Sequence, residues 1–293
     1  MEIPRQRLPS DKQQCFNSGM KQDSHLIDAI GQRHQPARDA RIVCLVPSIT
    51  ELLCELGLAS RLVGRTGFCI HPRDVVENIP KVGGTKDVNI GKIRRLAPTH
   101  VVVNIDENEK PTVDLLAEFV PHVVVTHPNT PRDNLLLARL MGAIFGAEDA
   151  AQRWCAAFED ALARLRADVT RAPAPERTVL YCIWQDPWMT VSRDTYIANM
   201  LAELGWRVPY LDEARYPRFE WSEALVGGLD AVLLSTEPYR FTEQHADALE
   251  KQIGIPVFLV DGEMMSWYGS RALAGLEYLR TLRAQVEGIT SYP

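Results

Sequence analysis

No apolar run in this chain reaches the roughly 18 residues of a membrane-spanning helix, which excludes helical membrane insertion. The first 40 residues also lack the apolar stretch of ~7–15 residues that a secretory signal needs, so the chain as written is expected in the cytoplasm. Cysteine is sparse. The six residues Cys15, Cys44, Cys54, Cys69, Cys155 and Cys182 form no CxxC pair, which argues against a zinc or thioredoxin-type centre. Cys44, Cys54 and Cys182 fall in apolar runs as buried thiols, and such scattered cysteines lean towards a reducing compartment. Basic charge is short as well: 32 Lys and Arg against 38 Asp and Glu give a net charge of −6, and no nucleic-acid surface is indicated. There is no GxSxG, no P-loop and no HExxH, so no catalytic activity is expected. The acidic loop Asp106-Glu107-Asn108-Glu109 lacks the ligand spacing of a calcium loop. Gly83-Gly84 is a turn and not a phosphate cradle.

What is present is globular. The 293 residues are 46% hydrophobic and 24% charged, enough for two domains with a core each. Residues 1–40 are polar and read as a disordered or loosely packed extension, with at best a short helix capped by Ser24. From Arg41, apolar runs alternate with helical periods: RIVCLVPS, LVGRTGF, THVVVN and HVVVT predict strands, separated by helices at 49–62, 88–98, 111–119 and 131–145. Residues 147–169 contain neither Gly nor Pro and predict one helix of roughly 35 Å. After the Pro-rich RAPAPER the alternation resumes, with strands TVLYCIW, DAVLLS and PVFLVD and helices at 195–205, 245–254 and 270–286. The predicted organisation is an N-terminal lobe at 41–146, a backbone helix at 147–170 and a C-terminal lobe at 171–293. The fold class is α/β: two Rossmann-like lobes, each a parallel sheet between helices, joined by a long rigid helix.

Four segments in this order resemble the helical-backbone metal-receptor family, the class III periplasmic-binding-protein-like components that bind cobalamin and iron chelates for bacterial ABC importers. They are RIVCLVPSITELLCELGLASRLVGRTGFCIHP, KVGGTKDVNIGKIRRLAPTHVV, TVSRDTYIANMLAELG and DGEMMSWYGSRALAGLEYL, spread between Arg41 and Val286. The resemblance implies a small ligand, a cobalamin-like corrinoid or an iron chelate, in a cleft between the lobes. It implies no required cofactor, a monomer, a possible ABC permease as partner and, for the typical member, a periplasmic location.

Ligands of open α/β sheets sit beyond the carboxyl ends of the strands. The loops at those ends in the second half are rich in rings: Trp184, Trp188, Tyr216, Phe219, Trp221, Tyr239, Trp267 and Tyr268. Any one ring serves packing as readily as a ligand, but flat conjugated ligands stack on such a cluster. The family alignment places Phe68 and Tyr216 at cleft aromatics. His71, in FCIHP, sits where the family often has a Tyr and is a candidate donor to cobalt or iron, with His127 a weaker one. Arg193, Arg218 and Arg271 are candidate anion clamps. Asp261 and Glu263 follow the last strand, as partners for Arg271, as acceptors from the ligand, or as a turn. The expected ligand set is therefore Phe68, His71, Trp184, Trp188, Tyr216, Arg218, Tyr239, Glu263, Trp267, Tyr268 and Arg271. The acids that importer components present to a permease align with Gly91 and Ser222, which carry no charge. A cytoplasmic carrier of a corrinoid, haem or ferric siderophore, and an enzyme reusing the cleft, stand as alternatives to import.

Overall fold

A run such as His100–Asn104 is buried along its whole length, so it has no solvent side towards which to alternate. Strands of that kind pair in parallel with helices on both faces, and two such sheets form here. The computed structural model describes residues 24–288.

The first unit comprises residues up to His127 together with Leu136–Gln152. In it, β1 (Ile42–Cys44) leads to α1 (Pro47–Glu55), β2 (Leu62–Arg65), the single turn α2 (Arg73–Val76) and α3 (Ile90–Leu96). Then come β3 (His100–Asn104), α4 (Lys110–Ala117), β4 (His122–Thr126) and most of α5 (Asp133–Phe145). The sheet order is β2-β1-β3-β4, all parallel. Its core gathers Val43, Val101, Val103 and Val125 from the strands, Leu45 just past β1, and Ile93 and Leu116 from the helices. The expected strand at 41–48 is shorter, because Pro47 opens α1, where its fixed φ and missing N–H cost nothing. Asn89 starts α3 by accepting from the Lys92 amide at 2.9 Å.

The second unit comprises Pro128–Leu135 and the chain from Arg153 onward. The chain passes between units three times, in the loop at His127–Pro128, inside α5 and inside α6 (Glu148–Arg171). The unit contains β5 (Arg177–Trp184), β6 (Met189–Thr190), α7 (Tyr196–Ala202), β7 (Trp206–Arg207), α8 (Glu223–Val226) and β8 (Ala231–Ser235). α9 (Glu243–Ile253), β9 (Val257–Val260), α10 (Gly262–Ser266) and α11 (Ser270–Glu287) complete it. The order β6-β5-β8-β9 is parallel except for β6, and β7 pairs with the start of β5. Ser222 caps α8, its hydroxyl accepting from the Leu225 amide at 3.2 Å.

One expectation needs correction. Residues 24–40 are not a loose extension. Leu26, Asp28, His34 and Ala40 are buried, and the Ala29 amide donates to the Val125 carbonyl on β4 at 3.0 Å. The Asp28 carboxylate accepts from the amides of Ile30, Gln32 and Val125 and lies 3.1 Å from His34 Nε2. Polar composition is a poor guide here because one buried carboxylate with four donors ties the segment down. The remainder of the expected extension, residues 1–23 with Cys15, lies outside the described residues. Of the other five cysteines, Cys44, Cys69, Cys155 and Cys182 are buried and Cys54 is half-buried.

Candidate functional site

In the second unit, the loops after β8 and β9 build a polar constellation. Trp267 Nε1 donates to Glu237 Oε1 at 2.7 Å, and the Ser266 hydroxyl donates to the same oxygen at 2.8 Å. Arg271 bridges the two ends of this segment: Nη1 lies 2.9 Å from Glu263 Oε2, and the guanidinium carbon stands 5.1 Å from the centre of the Trp267 ring. Asp261 caps α10 by accepting from the Met264 amide, and its own amide donates to the Tyr278 hydroxyl at 2.9 Å. Burial raises the Glu237 carboxyl above the usual carboxylate range; its two hydrogen bonds pull the other way, and the nearby Glu263 and Asp261 add to the rise. Only glycine fits at 262, since a Cβ there would lie 2.5 Å from Glu237 Cγ and 2.6 Å from Ser235 Oγ. The turn after β9 thus presses directly on Glu237.

A second feature comes from the segment 215–219, which runs antiparallel to 188–192. The Thr190 amide donates to the Pro217 carbonyl, the Phe219 amide to that of Trp188, and the Ser192 amide to that of Arg215. This ladder sets Tyr216, 38% exposed, and Arg218, also exposed, beside the end of β5, where Trp184 is 40% exposed. Arg215, which sequence reasoning passed over, donates to Asn129 Oδ1 at 2.9 Å and to the Asp194 carbonyl. Arg193 stands 5.9 Å from the Tyr210 ring centre.

The remaining rings divide by burial. Trp188 stacks on Phe241 at 5.8 Å and meets Trp221 edge-on at 5.4 Å, so it belongs to the packed core with Phe219. Tyr239 bridges that core to Trp184, which it meets edge-on at 5.5 Å. Tyr268 is turned inward, 7% exposed, against Tyr196.

In the first unit, Phe68 is 63% exposed on the loop after β2. A Cβ on Gly84 would come within 3.3 Å of its ring, so Gly84 makes room for it. Half-buried His71 follows three residues later. His127 lies 3.4 Å from the Asp106 carboxylate, which pairs the weaker metal candidate with an acid of its own unit. Asn108, in the acidic loop, donates to the Thr85 carbonyl at 2.9 Å and accepts from the Asn104 amide, a structural tie across the strand ends. Gly91 lies in the exposed first turn of α3 and Ser222 caps α8, so neither position supplies a carboxylate. Among the described residues, no group of three or more His, Cys, Asp or Glu converges as metal ligands.

Glu237 is the group that sequence reasoning missed. Its signal was an acid immediately past a buried strand, in LLSTEP, on the side where ligands sit. Phe68, Trp184, Tyr210 and Tyr216 are the exposed aromatic rings among the described residues.

Residues 42–224 match the family model described as periplasmic binding protein. The uncharacterized ABC transporter substrate-binding lipoprotein YvrC of Bacillus subtilis (strain 168) is 24% identical over 254 residues, 82% of this chain and 78% of the relative. Among solved structures, the apo periplasmic heme-binding protein RhuT from Roseiflexus sp. RS-1 is similar with a TM-score of 0.71 at 20% identity, covering 85% of this chain and 99% of that one. The periplasmic vitamin B12 binding protein BtuF of Vibrio cholerae gives 0.72 at 18% identity, covering 85% and 98%. At these identities the structures show a shared fold.

Proposed function

Because this chain belongs to the periplasmic binding protein family, we propose that it is the substrate-binding component of an ABC importer and takes a corrinoid or metal chelate as its ligand. It is a binding protein and not an enzyme. The observation that carries the ligand reading is the Glu237–Trp267–Arg271–Glu263 constellation, with exposed Trp184 and Tyr216 in the same unit. An indole fixed by its own hydrogen bond offers a rigid face to a flat conjugated ring, and the arginine beside it suits carboxylates on that ring's edge. Similar proteins are named for heme and for vitamin B12, both flat metal macrocycles. Within the first unit, Phe68 and His71 are proposed ligand contacts in their own right, His71 as a single imidazole donor to a metal that arrives within its chelate.

The cytoplasmic location expected from the opening residues finds no support: the family is described as periplasmic, and the Bacillus relative is named a lipoprotein. That expectation rested largely on residues 1–23, outside the described part. No helix among the described residues is long and apolar enough to cross a membrane. We place the protein outside the cytoplasmic membrane. A carrier without a permease is the second reading, favoured by the uncharged Gly91 and Ser222.

A thermal-shift screen over corrinoids, haem and ferric siderophores tests the ligand class. A true ligand at 100 times its Kd adds about 2.7 kcal/mol of stability. If none of the three classes raises the melting temperature, the ligand reading fails. For any ligand found, His71→Ala should shift its visible absorption bands if the imidazole reaches the metal.

A further inference from the structure

Arg65 ends β2 almost wholly buried, at 4% exposure. Its Nε donates to the Val76 carbonyl at 2.6 Å and its Nη1 to the Thr66 carbonyl at 3.1 Å. Both acceptors are neutral main-chain oxygens, and no carboxylate pairs with this guanidinium among the described residues. A buried cation without a counter-ion is costly, and the single turn α2, whose last carbonyl it caps, supplies only a weak dipole. The same guanidinium lines a concavity of about 470 Å³ in the first unit. Arg73 and Lys81, both exposed, line it too, with His71 and one carboxylate, Glu77. Three permanent cations against one acid leave the concavity positive, in a chain whose net charge is −6.

We propose that this concavity is a binding site for a small oxyanion, a carboxylate or phosphate, with Arg65 at its floor and Arg73 and Lys81 at its rim. Two oxygens on one centre match the planar fork of a guanidinium, and the rim ammonium adds a point charge. The buried arginine gains from the anion the counter-charge that the fold withholds. The site shares only His71 with the proposed ligand residues, and it does not depend on the corrinoid or chelate reading.

Calorimetric titration of the full chain with inorganic phosphate, and separately with acetate, at constant ionic strength tests this. Saturable binding of either anion is expected, and the pair of titrations identifies phosphate or carboxylate as the preferred chemistry. Arg65→Gln risks the fold, so the informative variant is the exposed pair Arg73→Glu with Lys81→Glu. It should weaken binding at least about tenfold, while Lys251→Glu, in the second unit, should leave Kd unchanged. No saturable heat with either anion, or an unchanged Kd in the double variant, overturns the site. Neither result bears on the macrocycle screen.

Discussion

Trp267 Nε1 donates to Glu237 Oε1 at 2.7 Å, joining the turn after β9 to the one after β8. This bond sets the plane of the indole over which Arg271 stands. Trp267→Ala should therefore weaken binding of the screened ligand about tenfold, from lost stacking of roughly 0.5–1.5 kcal/mol plus buried area. Tyr216→Ala should weaken it by a similar factor, since that ring is exposed and not part of the core. Quenching of intrinsic tryptophan fluorescence measures both. Wild-type affinity in both variants would remove this constellation from the site.

Glu237 should make stability fall as pH rises. Burial raises its folded carboxyl above the ordinary value of 4.5, so the contribution to stability is full below that value and is lost as pH climbs through the raised one. Glu237→Gln keeps an oxygen to accept from Ser266 and Trp267 but cannot ionise. Chemical denaturation across this range should show a flatter pH dependence in the variant, with neutral-pH stability at or above wild type. An unchanged pH profile would mean that Glu237 ionises freely in the fold.

His100 works in the opposite direction. Burial first, then the neighbouring His122 and His34, lower it from 6.5 to about 4. Its ring stacks on His122 at 4.6 Å, and its Nδ1 lies 2.9 Å from the Thr99 hydroxyl. A depressed folded value gives stability that is present above pH 6.5 and lost as pH falls towards about 4. The loss is about 3 kcal/mol, from 1.36 kcal/mol per pH unit. His100→Gln should flatten acid denaturation in that window; a curve that superposes on wild type contradicts the assignment.

Asp28 holds residues 24–40 to β4. Burial alone would raise its carboxyl, but the hydrogen bonds from His34 and from the amides of Val125, Gln32 and Ile30 outweigh it and hold the group below its ordinary 3.8. Its contribution is present above 3.8 and lost as pH falls through the lowered value. Asp28→Ala leaves those donors unsatisfied and should cost about 2–4 kcal/mol. A chain shortened to begin at Arg41 should melt lower as well. Equal melting temperatures would return this segment to the status of a dispensable tail.

The sequence alone determined the alternation of elements. Runs such as Val101–Val103 and Ala231–Leu234 are apolar without a break, so they must be covered on both sides, and the helical periods between them supply the cover. The 24-residue helix Glu148–Arg171 was equally legible, because no Gly or Pro interrupts it. Local pattern also located the loops at the strand ends, and with them Trp267, Glu263 and Arg271. It could not assign roles within those loops. Trp184 and Trp188 are two indoles four residues apart, yet one is 40% exposed while the other stacks on Phe241. Which way each points is decided by partners more than thirty residues away, Tyr239, Trp221 and Phe241, and no local period encodes them. The same holds for Glu237, whose partners Ser266 and Trp267 come from the next strand's turn, and for Asp28, held through Val125. Periodicity measures how much of a segment must leave water; the direction of a single polar or aromatic side chain depends on long-range contacts that exist only once the sheets have formed.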